Sequence, residues 1–253
     1  MFGLAISVDM AVLSALIFAA ALLYSSVGHA GASGYIAAMA LVGIAPVVMK
    51  PTALVLNVLV AGLGTVRWYR LGFVKWRALL PLLAASVPCA FIGGAIQLPG
   101  TWYRLLIGTI LIIAAAMLLT KRQHDPAAAA EGATAVPVAG GLLTGGSVGL
   151  LSGLTGTGGG IFLSPILLMM RWADPRQASG ITLPFILFNS LAGLMGNLVA
   201  LRSLPAELPL FAASALAGGL LGTHFGSRHA SNVLLRRLLA VVLLIAGVKF
   251  IWV

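Results

Sequence analysis

The chain alternates long apolar runs with short polar breaks, and it carries very few charges that could face water. Of its 253 residues, 60% are hydrophobic and only 8% are charged. A soluble globular domain has roughly 25% charged residues, because its surface must be hydrated. The sequence therefore excludes a soluble enzyme, a nucleic-acid-binding module and a disordered chain. It indicates a membrane protein that crosses the bilayer several times.

Ten apolar segments can be counted, and helices of this length fit the bilayer, which needs about 20 residues per crossing. Their bounds are 9–27, 34–48, 51–67, 78–97, 102–120, 136–153, 160–172, 179–201, 205–225 and 234–252. They predict an all-α, polytopic membrane helix bundle. The second and seventh segments are short, and each follows a glycine-rich stretch. We expect these two to be half-helices or re-entrant segments.

The two halves of the chain resemble each other, which predicts a duplication. Residues 1–120 form the first membrane repeat, 121–134 a hydrophilic linker and 135–253 the second repeat. Several residues recur in order: Gly28, Gly31 and Gly34 as Gly153, Gly156 and Gly159, and Asn57, Gly64 and Arg70 as Asn189, Gly196 and Arg202. An odd number of segments in each half inverts the second repeat relative to the first, an arrangement typical of secondary transporters.

The positive charges favour a topology in which all ten segments cross. With the linker in the cytoplasm, 11 Lys and Arg residues fall inside and 4 fall outside, one of them Lys50 between the second and third segments. With re-entrant second and seventh segments the counts become 8 and 7. Cytoplasmic loops are enriched in Lys and Arg, so the first distribution is preferred. The net charge of +10 is explained in the same way, without a nucleic-acid partner.

The residues indicate neither catalysis nor a resident cofactor or metal. All acids lie at segment ends or in loops: Asp9, Asp125, Glu131, Asp174 and Glu207. Paired carboxylates for hydrolysis, a carboxylate cage for sodium and a carboxylate proton relay are therefore not predicted within the spans. We expect a protein that is not an enzyme and needs no cofactor.

The two glycine-rich stretches, residues 25–34 and 153–160, predict interrupted helices. Each glycine costs a helix about 1 kcal/mol, so consecutive glycines unwind it. Unwound backbone inside a membrane is tolerated where it is buried in protein or lines a wet cavity. The helix that restarts at Ile161 directs its N-terminal N–H groups and positive dipole end toward that space, which suits a small anion.

These residues also resemble a known family. The run from Ser152 to Gly160, then Pro165, Gly180-Ile181-Thr182 and the stretch from Asn189 to Gly193 are similar to the sulfite exporter TauE/SafE family. In the first half, His29, Ala30, Ala32 and Ser33 stand where that family commonly has a glycine-rich run. The resemblance implies a permease of the bacterial inner membrane, built from a duplicated unit, for sulfite or small organosulfur anions such as sulfonates.

Ten residues are candidates for the substrate site, because they lie in the breaks or are polar within the apolar spans. They are Ser26, His29, Ser33, Asn57, Thr155, Thr157, Gly158, Gly159, Thr182 and Asn189. The asparagines either bind a ligand or form interhelical hydrogen bonds. The threonines of the second break either donate to an oxyanion or bond back to their own helix. His29 either acts on the anion and a coupled proton, or satisfies a backbone carbonyl.

The sequence thus predicts a membrane transporter that exports a small sulfur-containing anion. Its partners are the anionic substrate and the lipid bilayer, with His29 as the candidate for proton coupling. A second hypothesis stays open: a membrane-embedded assembly or accessory protein that transports nothing. In that case the small residues serve only to pack helices, and the polar residues need not converge.

Overall fold

The computed structural model describes residues 8–120, 135–198, 204–226 and 233–252. Within these ranges the chain forms ten α-helices. In chain order they are α1 (Val8–Ser26), α2 (Ala32–Val42), α3 (Pro46–Arg70), α4 (Trp76–Ala95), α5 (Gly100–Thr120), α6 (Val138–Thr155), α7 (Gly160–Met169), α8 (Pro175–Gly196), α9 (Leu208–Gly226) and α10 (Val233–Trp252). The predicted all-α helix bundle is confirmed, whereas the predicted linker at 121–134 lies outside the described residues.

Every predicted apolar segment has a helix at its position, but two helices begin four or five residues before the predicted apolar runs. Both α3 and α8 start with a proline, Pro46 and Pro175, whose fixed φ suits the first turn of a helix. The Asp174 carboxylate accepts the backbone N–H groups of Arg176 and Gln177 at 2.8 and 2.9 Å, which caps α8.

One consequence is a correction for Lys50, which the sequence places in an outer connection. Because α3 begins at Pro46 and continues through Pro51, Lys50 lies inside the first turns of the helix. Its side chain is only 7% exposed. It is a buried cation of the bundle and does not mark a loop.

Six described helices are long and apolar enough to cross a membrane: α1, α3, α4, α5, α6 and α8. The helices α2 and α7 have only 11 and 10 residues. At 1.5 Å per residue they span roughly 16 Å, about half of the hydrocarbon core. Their lengths match the half-helix prediction for the second and seventh segments.

The two ends of α2 lie toward opposite ends of the bundle. Gly28, just before α2, packs against Ser179 near the start of α8. At the other end, the Lys249 ammonium donates to the carbonyl oxygens of Ala40 and Leu41 at 2.9 and 3.0 Å, close to the end of α10. The direction of α2 therefore agrees with the crossing order that the positive charges favour.

Glycine stripes bring pairs of helices into backbone contact. The pairs are α4 with α6 and α1 with α9. A Cβ atom at Gly149 would lie 2.3 Å from the Ser86 carbonyl oxygen, and one at Gly222 would lie 2.2 Å from the Leu22 carbonyl oxygen. Only glycine permits such an approach, as is usual for small-residue stripes in membrane helices.

Candidate functional site

The first break lies between α1 and α2, at residues 27–31. Its turn depends on Gly28 and Gly31, whose φ angles are 77° and 110°. Side chains other than glycine rarely adopt these values. A Cβ atom at Gly28 would also lie 2.2 Å from the Ser179 hydroxyl oxygen, so the break is pressed against α8.

The second break lies between α6 and α7, at residues 156–159, and is richer in left-handed backbone. Gly156, Gly158 and Gly159 have φ angles of 81°, 75° and 78°. A Cβ atom at Gly158 would lie 2.4 Å from the Asn57 side-chain nitrogen, on α3. The predicted interruptions are therefore present, and both are enclosed by other helices.

A single histidine joins the two breaks. The Nε2 atom of His29, in the first break, lies 3.2 Å from the carbonyl oxygen of Gly160, at the start of α7. Its Nδ1 atom lies 3.2 Å from the Val27 carbonyl oxygen. Both neighbours are acceptors, so a neutral ring donates to one of them and an imidazolium donates to both. The breaks are thus adjacent, although 131 residues separate the two bonded positions.

Asn57 connects α3, the second break and α8. Its side-chain nitrogen donates to the Thr157 carbonyl oxygen at 3.4 Å and to the Ser190 hydroxyl at 3.3 Å. The residue is fully buried, and its amide oxygen has no hydrogen-bond partner among the described residues. The interhelical hydrogen bond expected of this residue is present, and one polar atom is left over for a ligand.

Asn189, the predicted counterpart of Asn57, is also fully buried on α8. Its nitrogen donates to the Phe185 carbonyl oxygen within the same helix at 2.8 Å, and its amide oxygen is likewise without a partner in the described part of the chain. The Phe185 ring contacts Gly159. A buried polar atom without a hydrogen bond costs about 1–3 kcal/mol of folding free energy. The two unpaired amide oxygens of Asn57 and Asn189 therefore require an explanation.

The threonines are close together but already bonded. The Thr155 hydroxyl donates to the Leu151 carbonyl oxygen at 2.7 Å, which is the helix-bonded alternative. It also lies 2.9 Å from the Thr157 hydroxyl. Thr182, on α8, pairs with the Ser164 hydroxyl of α7 at 2.8 Å. All three threonines are buried beside the second break.

The remaining candidates belong to the first break. The Ser26 hydroxyl donates to the Leu23 carbonyl oxygen of its own helix at 2.7 Å. The Ser33 hydroxyl lies 2.6 Å from the Tyr24 hydroxyl, and both residues are buried. The Tyr24–Ser33 pair holds the end of α1 to the start of α2 across the turn.

Several residues at the site escaped the sequence analysis. Ser190 accepts from Asn57, and the fully buried Ser152 hydroxyl next to Gly159 has no partner among the described residues. Tyr103 donates to the Thr155 carbonyl oxygen at 3.1 Å. Ser152 and Ser190 stand inside the quoted motifs and could have been selected there, whereas nothing in the sequence singles out Tyr103.

The site is therefore a buried junction of two interrupted helices. The first turns of α2 and α7 begin there, and the leading N–H groups of a helix have no partners within it. No carboxylate is among the residues that form the two breaks. Backbone donors, positive helix ends and one histidine can hold a small anion without a metal or cofactor.

Long apolar helices around buried, unwound backbone define the class: a multi-pass membrane protein of the transporter type. The chain belongs to the sulfite exporter TauE/SafE family, whose sequence pattern matches residues 13–250. A relative from Sinorhizobium fredii (strain NBRC 101917 / NGR234), named "Probable membrane transporter protein y4hK", is 39% identical over 235 residues. That alignment covers 93% of this chain and 95% of the relative. No solved structure matches the chain.

Family and relative together indicate a membrane transporter, for which the bacterial inner membrane is the typical location. They favour this class over the accessory protein that the sequence left open. A transporter family is not an enzyme class. It implies a small-molecule substrate taken across the bilayer.

Proposed function

We propose that the protein exports a small sulfur-containing anion, sulfite or a sulfonate, through the junction of the two breaks. The observation that carries this proposal is the 3.2 Å contact between His29 Nε2 and the Gly160 carbonyl oxygen. It brings the starts of both half-helices to one place inside the protein. A single anion between them receives donors from both halves of the chain.

Recognition by backbone suits this class of substrate. The oxygens of sulfite and sulfonates accept hydrogen bonds, and helix starts present N–H groups together with a positive partial charge. Gly158 and Gly159 carry no side chain of their own, so an anion that takes the place of the neighbouring side chains can approach the backbone closely. The proposed site therefore selects charge and size, and tolerates different groups attached to the sulfur.

The unpaired amide oxygens of Asn57 and Asn189 refine the choice of anion. An amide oxygen accepts hydrogen bonds and repels a bare negative charge. It is stabilised by a water molecule or by a hydroxyl group on the substrate. The pair favours a monovalent anion that brings a hydrogen-bond donor, such as hydrogen sulfite, a sulfonate with a hydroxyl group or a sulfonate with a bound water molecule, over the sulfite dianion.

Energetics support export. A monovalent anion that leaves an inside-negative cell gains about 2.3 kcal/mol per 100 mV. That free energy corresponds to roughly a fiftyfold concentration ratio without any coupling ion. Uptake requires a co-transported cation, and His29 is the candidate carrier because its ring contacts both breaks.

The packing of the two halves supports a proposal of alternating access. The predicted duplication makes α1 the counterpart of α6, α3 the counterpart of α8 and α4 the counterpart of α9. The α1–α9 contact therefore corresponds to the α4–α6 contact, and the α3–α9 contact corresponds to the α4–α8 contact. The helices α3 and α8 pack against each other at the junction. We infer that the halves rock about this α3–α8 contact, and that His29 holds the breaks together in the closed arrangement described here.

The test is transport after removal of single polar groups. Asn57→Ala and Thr157→Ala abolish counterflow of labelled sulfite in proteoliposomes, while the protein inserts normally. Thr157→Ser keeps the hydroxyl and retains transport. Ser147→Ala is the matched control, because the Ser147 hydroxyl bonds only to carbonyl oxygens of its own helix on an exposed face. Unchanged flux in both alanine variants removes the proposed site.

A further inference from the structure

A second polar space lies beside the junction. A cleft of about 320 Å³ opens between the starts of α3 and α5 and the end of α4. Its polar lining residues within the described part of the chain are Lys50, Gln97, Tyr103, Arg104 and Asn197, and none of the described lining residues is a carboxylate. We call it the Lys50 cleft.

The Lys50 ammonium is buried, and it forms no ion pair with any of the described residues. It donates to the carbonyl oxygens of Gly93, Gly94 and Ile96 at 3.2, 3.0 and 3.2 Å. These bonds satisfy its protons, and they cover the negative end of the α4 dipole. Carbonyl groups carry no net charge, however, so a whole positive charge remains in a poorly hydrated place. An anion nearby lowers its free energy.

The helix ends at the cleft are of both signs. Pro46 and Gly100, the first residues of α3 and α5, line it, so the positive ends of two long helices meet there. Leu154 and Asn197, at the negative ends of α6 and α8, line it as well and offset those dipoles. The side chains decide the sign: Arg104, one turn further along α5, adds a second cation to Lys50, so the potential in the cleft is positive.

The cleft also borders the second break. Tyr103, on its wall, donates to the Thr155 carbonyl oxygen at 3.1 Å. On the opposite side, the Cγ atom of Lys50 is 3.1 Å from where a Cβ atom of Gly156 would stand. Only the start of the break separates the cleft from the proposed central site.

We propose that the Lys50 cleft is a second anion site, a vestibule that holds the anion between the central junction and the surrounding solution. It rests on the proposed function for the identity of the anion, sulfite or a sulfonate. By the positive-charge topology it opens on the periplasmic side. Its positive potential draws the anion away from the junction, and its width leaves the anion partly hydrated, so that release stays fast.

The test uses the charge selectivity of a thiol placed in the cleft and does not depend on transport. Cys89→Ser removes the one cysteine of the chain, and Gln97→Cys places a new thiol on the lining. In right-side-out vesicles, each labelling rate is divided by the rate of the same reagent with a free thiol in solution, because a thiolate intrinsically favours the cationic reagent. On this scale anionic methanethiosulfonate ethylsulfonate modifies the thiol about tenfold or more faster than its trimethylammonium analogue, because a positive cleft concentrates anions. Methanesulfonate, a small unreactive anion, slows the reaction.

Charge removal then identifies the source of the potential. Arg104→Gln and Lys50→Met each lower the rate ratio. The matched control is Lys249→Met, which removes another lysine bound to helix-end carbonyls, outside this cleft, and leaves the ratio unchanged. If Lys50→Met does not fold, Lys50→Arg keeps the ratio and Arg104→Gln carries the test.

Two results overturn the proposal of a second anion site in the Lys50 cleft. One is an equal labelling rate for the two reagents after division by their rates with a free thiol. The other is a ratio of these labelling rates that neither Arg104→Gln nor Lys50→Met changes. The labelling test of the Lys50 cleft and the transport test of the junction between the two breaks can fail independently. If Asn57→Ala and Thr157→Ala transport normally while the labelling preference stands, the junction fails as a site and the cleft survives.

Discussion

The two short helices α2 and α7 are counterparts under the predicted duplication but have different surroundings. Every residue of α2 from Ala32 to Ala40 is buried, because α1, α3 and α10 all pack against it. In α7 only Gly160, Leu163, Ser164 and Leu167 are buried, and its end, Met169, is 77% exposed. Since fewer side chains hold α7, its displacement costs less free energy. We infer that α2 is the fixed wall of the junction and α7 the element that moves.

The two breaks that precede α2 and α7 also differ in the contacts that hold them. The first break is fastened by side chains, through the Tyr24–Ser33 hydroxyl pair and a bond from the Tyr35 hydroxyl to the Ala30 carbonyl oxygen. The second break is also held by side chains, since Asn57 donates to the Thr157 carbonyl oxygen and Tyr103 to the Thr155 carbonyl oxygen. It differs in containing three glycines with left-handed φ, beside an Asn57 amide oxygen that is unpaired among the described residues. Under the proposed function, the second break supplies the backbone for the substrate, and the first supplies His29.

The largest effect is expected where the second break has least room. Gly158→Ala forces a left-handed residue, at about 1–2 kcal/mol, and a clash with Asn57 and Ile186, at about 1–3 kcal/mol more. We expect transport to be lost and the midpoint of thermal unfolding to fall. Both are measured on purified protein, by sulfite counterflow and by intrinsic fluorescence.

Gly72→Ala is the matched control for this substitution. Gly72 has nearly the same φ, 76°, but a Cβ atom there meets nothing within 4 Å. It therefore reports backbone strain alone, and transport should persist. Equal losses in the two variants would mean that strain, and not the shape of the break, explains the result.

Much of this comparison could be anticipated from local sequence. Helix positions follow hydropathy, and the two interruptions follow consecutive glycines, because both signals act over a few residues. The contacts that make the site could not be anticipated in that way. His29 reaches Gly160 across 131 positions, and Lys50 reaches the end of α4 across more than 40. Such pairs depend on how the halves pack, which a single sequence does not display.

Ser190 and Lys50 illustrate the two kinds of omission. Ser190 is adjacent to a selected asparagine, and its role required only the helical geometry that directs it toward α3. The sequence places Lys50 in a connection between segments, because a search for apolar runs ends at a charged residue. The aliphatic stem of a lysine is compatible with burial when its ammonium reaches carbonyl oxygens, and hydropathy alone does not register this.

A smaller effect is expected at the bridge between the breaks. His29→Ala removes the ring contact to Gly160, and such a hydrogen bond contributes about 0.5–1.5 kcal/mol with a neutral ring and about 1.5–3 kcal/mol with an imidazolium. We expect sulfite transport to fall several-fold in the first case and roughly tenfold or more in the second. His29→Gln retains an N–H donor of similar reach and should restore most of the transport. If glutamine is as defective as alanine, the ring acts through its proton, and transport by the wild-type protein should then acidify or alkalise the vesicle interior.

The smallest effect is expected at the Tyr24–Ser33 hydroxyl pair, which holds the start of α2 against α1. Tyr24→Phe removes the hydroxyl that pairs with Ser33 and leaves a buried polar group unsatisfied, which costs about 1–3 kcal/mol of folding free energy. Because α2 stays enclosed by α1, α3 and α10, this loss should appear as a lower midpoint of thermal unfolding, with transport reduced less than in His29→Ala. Should Tyr24→Phe impair transport as severely as Gly158→Ala, the first break moves during the cycle, and the division into a fixed α2 and a moving α7 is wrong.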